Sequence, residues 1–136
     1  MTASHHRRTF KMNLYVPYAH IDKMGFVYYA NYLVYFEMAR ADMMRQVGTP
    51  YGELEKKGVM LPVIEAHCVY KKPAHYDDHL EVNTVVTDIK GVRIRMEYVI
   101  KRGDDTLVTG YTEHVCLSPE GKVLKPVPEI RQLTEG

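Results

Sequence analysis

Phe10, Met12, Leu14 and Val16 alternate with Lys11, Asn13 and Tyr15. That period of two predicts a first strand over 9–16, closed by Pro17. A polar loop from Tyr18 to Gly25 follows. The spacing then lengthens to three and four at Leu33, Phe36, Met43, Met44 and Val47, with alanines at 39 and 41. This predicts a helix from Tyr28 to Val47, stopped by Gly48-Thr49-Pro50, with Asn31 placed to cap its start. Tyr51 to Lys57 suits a short second helix ending at Gly58. From residue 59 the period of two returns, in strands over Leu61–Lys72, Leu80–Asp88, Val92–Ile100 and Thr106–Leu117. Turn residues separate them: Asp77-Asp78, Lys90-Gly91 and Gly103-Asp104-Asp105, with Ser118 to Gly121 ending the last.

The order is therefore β-α-β-β-β-β. A helix with one apolar stripe and a sheet with one apolar face satisfy each other when the sheet wraps the helix. The fold expected is α+β, an antiparallel five-stranded sheet wrapped around one long helix, with the four strands after the helix in a meander. One sheet edge stays open, and pairing it with a second copy removes an aggregation hazard. Residues 1–8 are expected to be a flexible terminus and 9–118 a single domain. Residues 119–136, with prolines at 126 and 128, are expected to form a loosely held strap or surface segment.

Composition narrows the function. The net charge is +1 over 136 residues, which gives no broad drive toward nucleic acid or an anionic membrane. No apolar run approaches the ~20 residues that span a bilayer, and none follows the charged N-terminus. A cytoplasmic protein without membrane insertion is expected. Eleven tyrosines against three phenylalanines and no tryptophan suit wet pockets and subunit interfaces, as well as ordinary packing. Cys68 and Cys116 lack metal-pair spacing and are expected as reduced thiols. His5-His6 and the scattered His67, His75, His79 and His114 show no metal-ligand spacing, so no metal and no cofactor are expected.

The candidate chemistry centres on Asp22. Gly25 permits a tight turn or a close backbone approach to a ligand. The first N–H groups of the following helix lack internal partners and can receive an oxygen that becomes negative. A carboxylate beside them can attack a carbonyl carbon or deprotonate water. The same spacing also suits a plain loop cap. His20 can orient water, meet a phosphate or sit as an ordinary loop residue. Glu37 and Arg40 are spaced to pair across one helical turn. Lys71, Lys72, Lys90, Arg93 and Arg95 form either a basic rim for phosphates or a solvated strand face. The methionines at 24, 38, 43, 44, 60 and 96 suit either an adaptable acyl pocket or the core.

The pattern Tyr18-x-x-x-Asp22-x-x-Gly25-x-Val27-Tyr28-x-x-x-Tyr32-x-x-x-Phe36-Glu37-x-x-Arg40 resembles the signature of the hotdog-fold acyl-CoA thioesterases. The resemblance is to their 4-hydroxybenzoyl-CoA thioesterase and Tol-Pal-associated branch, and it extends over 9–118. It implies hydrolysis of an acyl-CoA to a carboxylic acid and CoA, with Asp22 as the catalytic carboxylate. It also implies that the backbone N–H of Tyr29 polarises the thioester carbonyl. Gly25, Tyr28, Asn31 and Tyr32 would shape the site, and Lys72 and Arg93 would meet CoA phosphate. Tol-Pal-associated members usually carry His where this chain has Tyr29. The family further implies a homodimer with shared active sites, in which strand Leu61–Lys72 pairs with its symmetry mate, and in some members a dimer of dimers. An acyl-carrier-protein thioesterase and a non-catalytic acyl-thioester-binding protein are the alternative readings.

Overall fold

A computed structural model describes residues 7–135, and Phe10–Tyr15 form its first strand, β1. The expectations for residues 1–6, His5-His6 included, lie outside the described residues. Helix α1 spans Asn31–Gln46 and α2 spans Tyr51–Lys56. Four strands follow: β2 (Val63–Tyr70), β3 (His79–Lys90), β4 (Arg93–Arg102) and β5 (Asp105–His114). Two short strands, β6 (Cys116–Leu117) and β7 (Val123–Leu124), pair with each other, and α3 spans Pro128–Arg131. Among the described residues, no helix is long and apolar enough to cross a membrane.

The five long strands form one antiparallel sheet, in the order β1-β3-β4-β5-β2. This is the hotdog architecture, a sheet curled around α1. It differs from the meander expected over all four later strands, because β2 lies at the far edge beside β5 while β3 pairs with β1. Helices α1 and α2 lie between β1 and β2, so the chain crosses one face of the sheet before β2 joins it.

The alternation read from the sequence holds where the sheet covers the helix. Ile94, Met96, Tyr98 and Ile100 of β4, and Leu80, Val82 and Val86 of β3, are buried against α1. Phe36 of α1 stacks on Tyr98, with ring centroids 4.2 Å apart and planes 8° apart. Gly110 of β5 makes room for this contact, since a Cβ there would lie 2.7 Å from Phe36 Cε2.

The buried face of α1 consists of Tyr32, Tyr35, Phe36, Ala39, Arg40, Met43 and Met44. Leu33, expected on that face, is exposed together with Val34 and Met38. They form a second apolar strip that the chain's own sheet leaves uncovered. Val92, expected within β4's apolar face, is exposed in the turn before the strand.

The C-terminal segment is not the loosely held strap that its prolines suggested. Ile130 and Leu133 are fully buried in the core, and the Lys57 ammonium meets the Glu129 carboxylate at 2.8 Å. Burying two aliphatic side chains contributes about 3–6 kcal/mol before the cost of ordering the segment, enough to hold it down.

Candidate active site

Asp22 sits at the head of a tight loop that its own side chain organises. Its Oδ1 accepts the backbone N–H of Met24 at 2.9 Å and of Phe26 at 3.1 Å. Its backbone N–H donates to the Phe26 carbonyl, and Gly25 N–H donates back to the Asp22 carbonyl. Gly25 has φ +83°, and open space surrounds the position a Cβ would take. Glycine therefore serves the left-handed backbone of the turn here.

Two further contacts fix the loop against the body of the protein. Val27 N–H donates to the Ala74 carbonyl at 2.9 Å, and Ala74 N–H donates to the Tyr32 hydroxyl at 3.1 Å. Behind Ala74, Arg102 donates to the Asp78 carboxylate at 2.7 Å and to the Pro73 carbonyl at 3.3 Å. Burial alone would raise the pKa of Asp78, but the His75 N–H and the Arg102 guanidinium outweigh it and hold the carboxyl below its usual range.

Helix α1 begins later than its sequence pattern implied. Tyr28 N–H turns back to the His20 carbonyl at 2.8 Å, so residues 28–30 form a turn before Asn31. Asn31, Tyr32 and Leu33 donate to carbonyls three residues back, a tighter opening than an α-turn. Among the described residues, nothing accepts from the N–H groups of Tyr29 and Ala30. These two donors stand at the positive end of α1.

Asp22, Tyr29, Tyr32 and Lys72 line one cavity of about 280 Å³, together with Tyr70 and Phe26. Tyr70 and Phe26 were not singled out by sequence reasoning. Tyr70 comes from the far end of β2, and only the strand order brings it beside Asp22; its hydroxyl donates to the Tyr29 carbonyl at 3.4 Å.

Met24 and Lys71 also line it, and the remaining sequence candidates lie outside this lining. The Asn31 side chain donates to the His20 carbonyl at 3.3 Å, which braces the helix start against the loop. His20 Nδ1 lies 2.9 Å from the Tyr35 hydroxyl, whose pKa burial pushes up to about 12, so that group stays a neutral anchor for the imidazole. Tyr28 is exposed and packs on Tyr29, with ring centroids 4.8 Å apart. Arg93, at the start of β4, bonds Glu113 at 2.7 Å and Glu65 at 3.2 Å. Lys72 keeps its place at the cavity mouth but is paired with Asp105 at 3.0 Å. Glu37 and Arg40, spaced to pair, form no ion pair, because Arg40 is buried while Glu37 faces outward. No group of three or more potential metal ligands occurs among the described residues.

A cavity lined by one carboxylate and by Tyr29, whose N–H is free at a helix start, has the kinds of group that acyl transfer to water uses. The hotdog fold and this loop define the class, and the chain belongs to the Thioesterase-like superfamily, whose model matches residues 16–132. It is 35% identical over 118 residues to YneP of Bacillus subtilis (strain 168), spanning 86% of this chain and 84% of that protein. It is 30% identical over 111 residues to the acyl-CoA thioester hydrolase YbgC of Escherichia coli O157:H7, spanning 81% of this chain and 83% of the other. Among solved structures, the DHNA-CoA thioesterase of Staphylococcus aureus superposes with a TM-score of 0.82 at 31% identity, covering 86% of this chain and 80% of that one.

Proposed function

We infer that this protein is an acyl-CoA thioester hydrolase in which Asp22 attacks the thioester carbonyl or activates the water that does. The observation that carries the reading is the shared cavity of Asp22 and the Tyr29 turn. The carbonyl oxygen becomes negative as the tetrahedral intermediate forms. The free N–H of Tyr29, at the positive end of α1, is placed to receive it. Asp22 Oδ1 is occupied by two loop N–H groups, which orients the carboxylate and leaves Oδ2 as the reacting oxygen. Collapse of the intermediate expels the CoA thiolate and leaves the carboxylic acid. Lys72 at the mouth is suited to a CoA phosphate once Asp105 yields it, whereas Arg93 is already held by two carboxylates. Similarity to the acyl-CoA thioester hydrolase YbgC supports hydrolysis of a CoA thioester, while Tyr29, where Tol-Pal-associated members usually carry His, argues for backbone chemistry at that position. The free thiols Cys68 and Cys116 support a reducing, cytoplasmic setting.

We propose further that the working unit is a homodimer joined along β2. This strand pairs on one side only and exposes Val63, Ile64, Val69 and Tyr70 at 43–48%. The uncovered strip Leu33, Val34 and Met38 lies on α1, and a second copy would cover both surfaces. A dimer of dimers would use other surfaces. Ile64→Lys combined with Val69→Lys is expected to convert a species of twice the protomer mass into a monomer in sedimentation velocity; unchanged mass would rule out the β2 edge.

The hydrolase is tested by free-thiol release from short, medium, long and aromatic acyl-CoAs. Turnover of at least one class, at a kcat/KM of roughly 10⁴ M⁻¹s⁻¹ or more, is expected. Folded protein that releases no thiol from any of them would overturn the reading.

A further inference from the structure

A second cavity is larger than the one at Asp22. It measures about 730 Å³ and lies under the middle and end of α1, with walls that include Met38, Val59, Met60, Leu61 and Val63. Arg40 also lines it, and lines a second hollow of about 270 Å³ on its other side, which shares Glu37 and Val63.

Arg40 is unusual for a lining residue. It is only 7% exposed, yet no carboxylate among the described residues lies within ion-pair distance. Its guanidinium bonds the Tyr98 hydroxyl at 3.2 Å and sits beside the Tyr51 hydroxyl. Tyr98 passes the contact to Thr112 at 2.6 Å, and Thr112 to His114 at 2.8 Å. This chain holds the guanidinium in place but supplies no negative charge. A guanidinium has five N–H donors, so two hydroxyls leave donors to spare. Burying a cation without a counter-charge is costly, and the arrangement is explained if an anion joins it. The remaining charges at the cavity, Glu37, Arg45 and Glu55, are exposed, and Arg45 pairs with Asp42 at 3.5 Å.

Strand geometry connects the two cavities. Val63 lines the Arg40 cavity and Tyr70 lines the Asp22 cavity, at opposite ends of β2. Within one protomer those ends are roughly 23 Å apart, too far for one small acyl group. Antiparallel pairing of β2 with a second copy, centred on the strand, sets Val63 of one chain opposite Tyr70 of the other.

We propose that the acyl group runs from Asp22 of one protomer into the Arg40 cavity of its partner, where Arg40 binds a carboxylate at the far end of the acyl chain. The preferred substrates are thus ω-carboxyacyl thioesters, and Arg40 is the residue that selects them. This rests on the hydrolase and β2-dimer readings above, so the test separates it from them.

Binding is measured by calorimetry with two non-hydrolysable CoA thioethers of equal length, S-hexyl-CoA and S-(5-carboxypentyl)-CoA. The wild-type protein is expected to bind the carboxylated probe about tenfold more tightly or better, as befits a charge-assisted hydrogen bond. Arg40→Gln is expected to remove that preference. Because Arg40 is buried, a variant on β2 serves alongside it, its dimer mass checked by sedimentation velocity: Val63→Glu places a carboxylate at the cavity rim and should remove the preference equally while the dimer persists, and Val63→Gln should not remove it. Equal binding of both probes by the wild type, or a preference that survives both R40Q and V63E, overturns the proposal. A preference that behaves as expected in a protein that hydrolyses nothing supports the subsite and defeats the hydrolase reading alone. Mixed dimers of D22N with V63E retain one complete site if Asp22 and Arg40 act from different chains. They should hydrolyse carboxyacyl-CoA with the wild-type preference over the uncharged acyl-CoA, whereas D22N alone lacks turnover and V63E alone lacks the preference, and a lack of recovered preference overturns the shared arrangement.

Discussion

Replacing Asp22 with Asn lowers kcat by about 10²- to 10⁴-fold, the range for losing a positioned acid–base group. The fold survives, because an amide oxygen can still accept the Met24 and Phe26 N–H bonds that Oδ1 now receives. The loop also keeps its Gly25 turn and the Val27–Ala74 bond, neither of which involves the side chain. The loss therefore falls on chemistry and leaves KM within a few-fold. Asp22→Ala is a poorer test, since it removes the loop's internal acceptor along with the carboxylate. The check is steady-state thiol release by D22N on the best substrate of the panel, beside its thermal unfolding curve. A D22N protein with wild-type kcat and an unchanged melting curve would remove Asp22 from the reaction.

Stability is expected to fall as pH drops from about 6.5 toward 4, and His114 is the cause. Its imidazole is fully buried on β5, with Nε2 at 2.8 Å from the Thr112 hydroxyl. Burial, reinforced by the nearby Arg40 charge, pushes its pKa down to about 4 from an ordinary 6.5. The sign follows from linkage. Between those two values the unfolded chain binds a proton and the folded chain does not, so acid favours unfolding. Above 6.5 both states are neutral and the stability contributed by this group is complete. Across the window the loss approaches about 3 kcal/mol, a large share of a small domain's stability. Paired carboxylates such as Glu113 and Glu129, whose pKa values are lowered by Arg93 and Lys57, act in a separate, more acidic range. Urea midpoints measured at intervals from pH 7.5 to 4.5 read the effect. His114→Gln, which cannot titrate, should flatten the curve over that window even if it lowers stability throughout. An unflattened curve in H114Q would assign the acid loss to other groups.

Local pattern was enough to identify most elements. Phe10 to Val16, Leu80 to Val86 and Ile94 to Ile100 alternate because each strand puts one face on the core, and that period is visible in any short window. The Asp22-Gly25 loop was legible for a similar reason: a carboxylate, a glycine with positive φ and a helix start lie within one stretch of chain. Spacing alone starts α1 three residues early, because Tyr28 and Tyr29 fit a helical period. A carbonyl on His20 captures the Tyr28 N–H instead, and that competition is not encoded in spacing.

The sequence by itself determined the element types, the antiparallel α+β class and the loop that holds the carboxylate, since these depend on residues close together in the chain. Tertiary structure decided which groups meet across long separations. The crossover that places β2 beside β5 brings Tyr70 to Asp22, leaves an unpaired edge, and opens the cavity where Arg40 stands. Glu37 and Arg40 show the difference at a single turn of helix. Their spacing permits an ion pair, but the curvature of the sheet buries one and exposes the other, and burial decides their partners. The C-terminal prolines likewise suggested a loose segment, until Ile130 and Leu133 found the open end of the core. In each case the deciding energy is the removal of apolar surface from water by residues distant in sequence, a quantity that no local window contains.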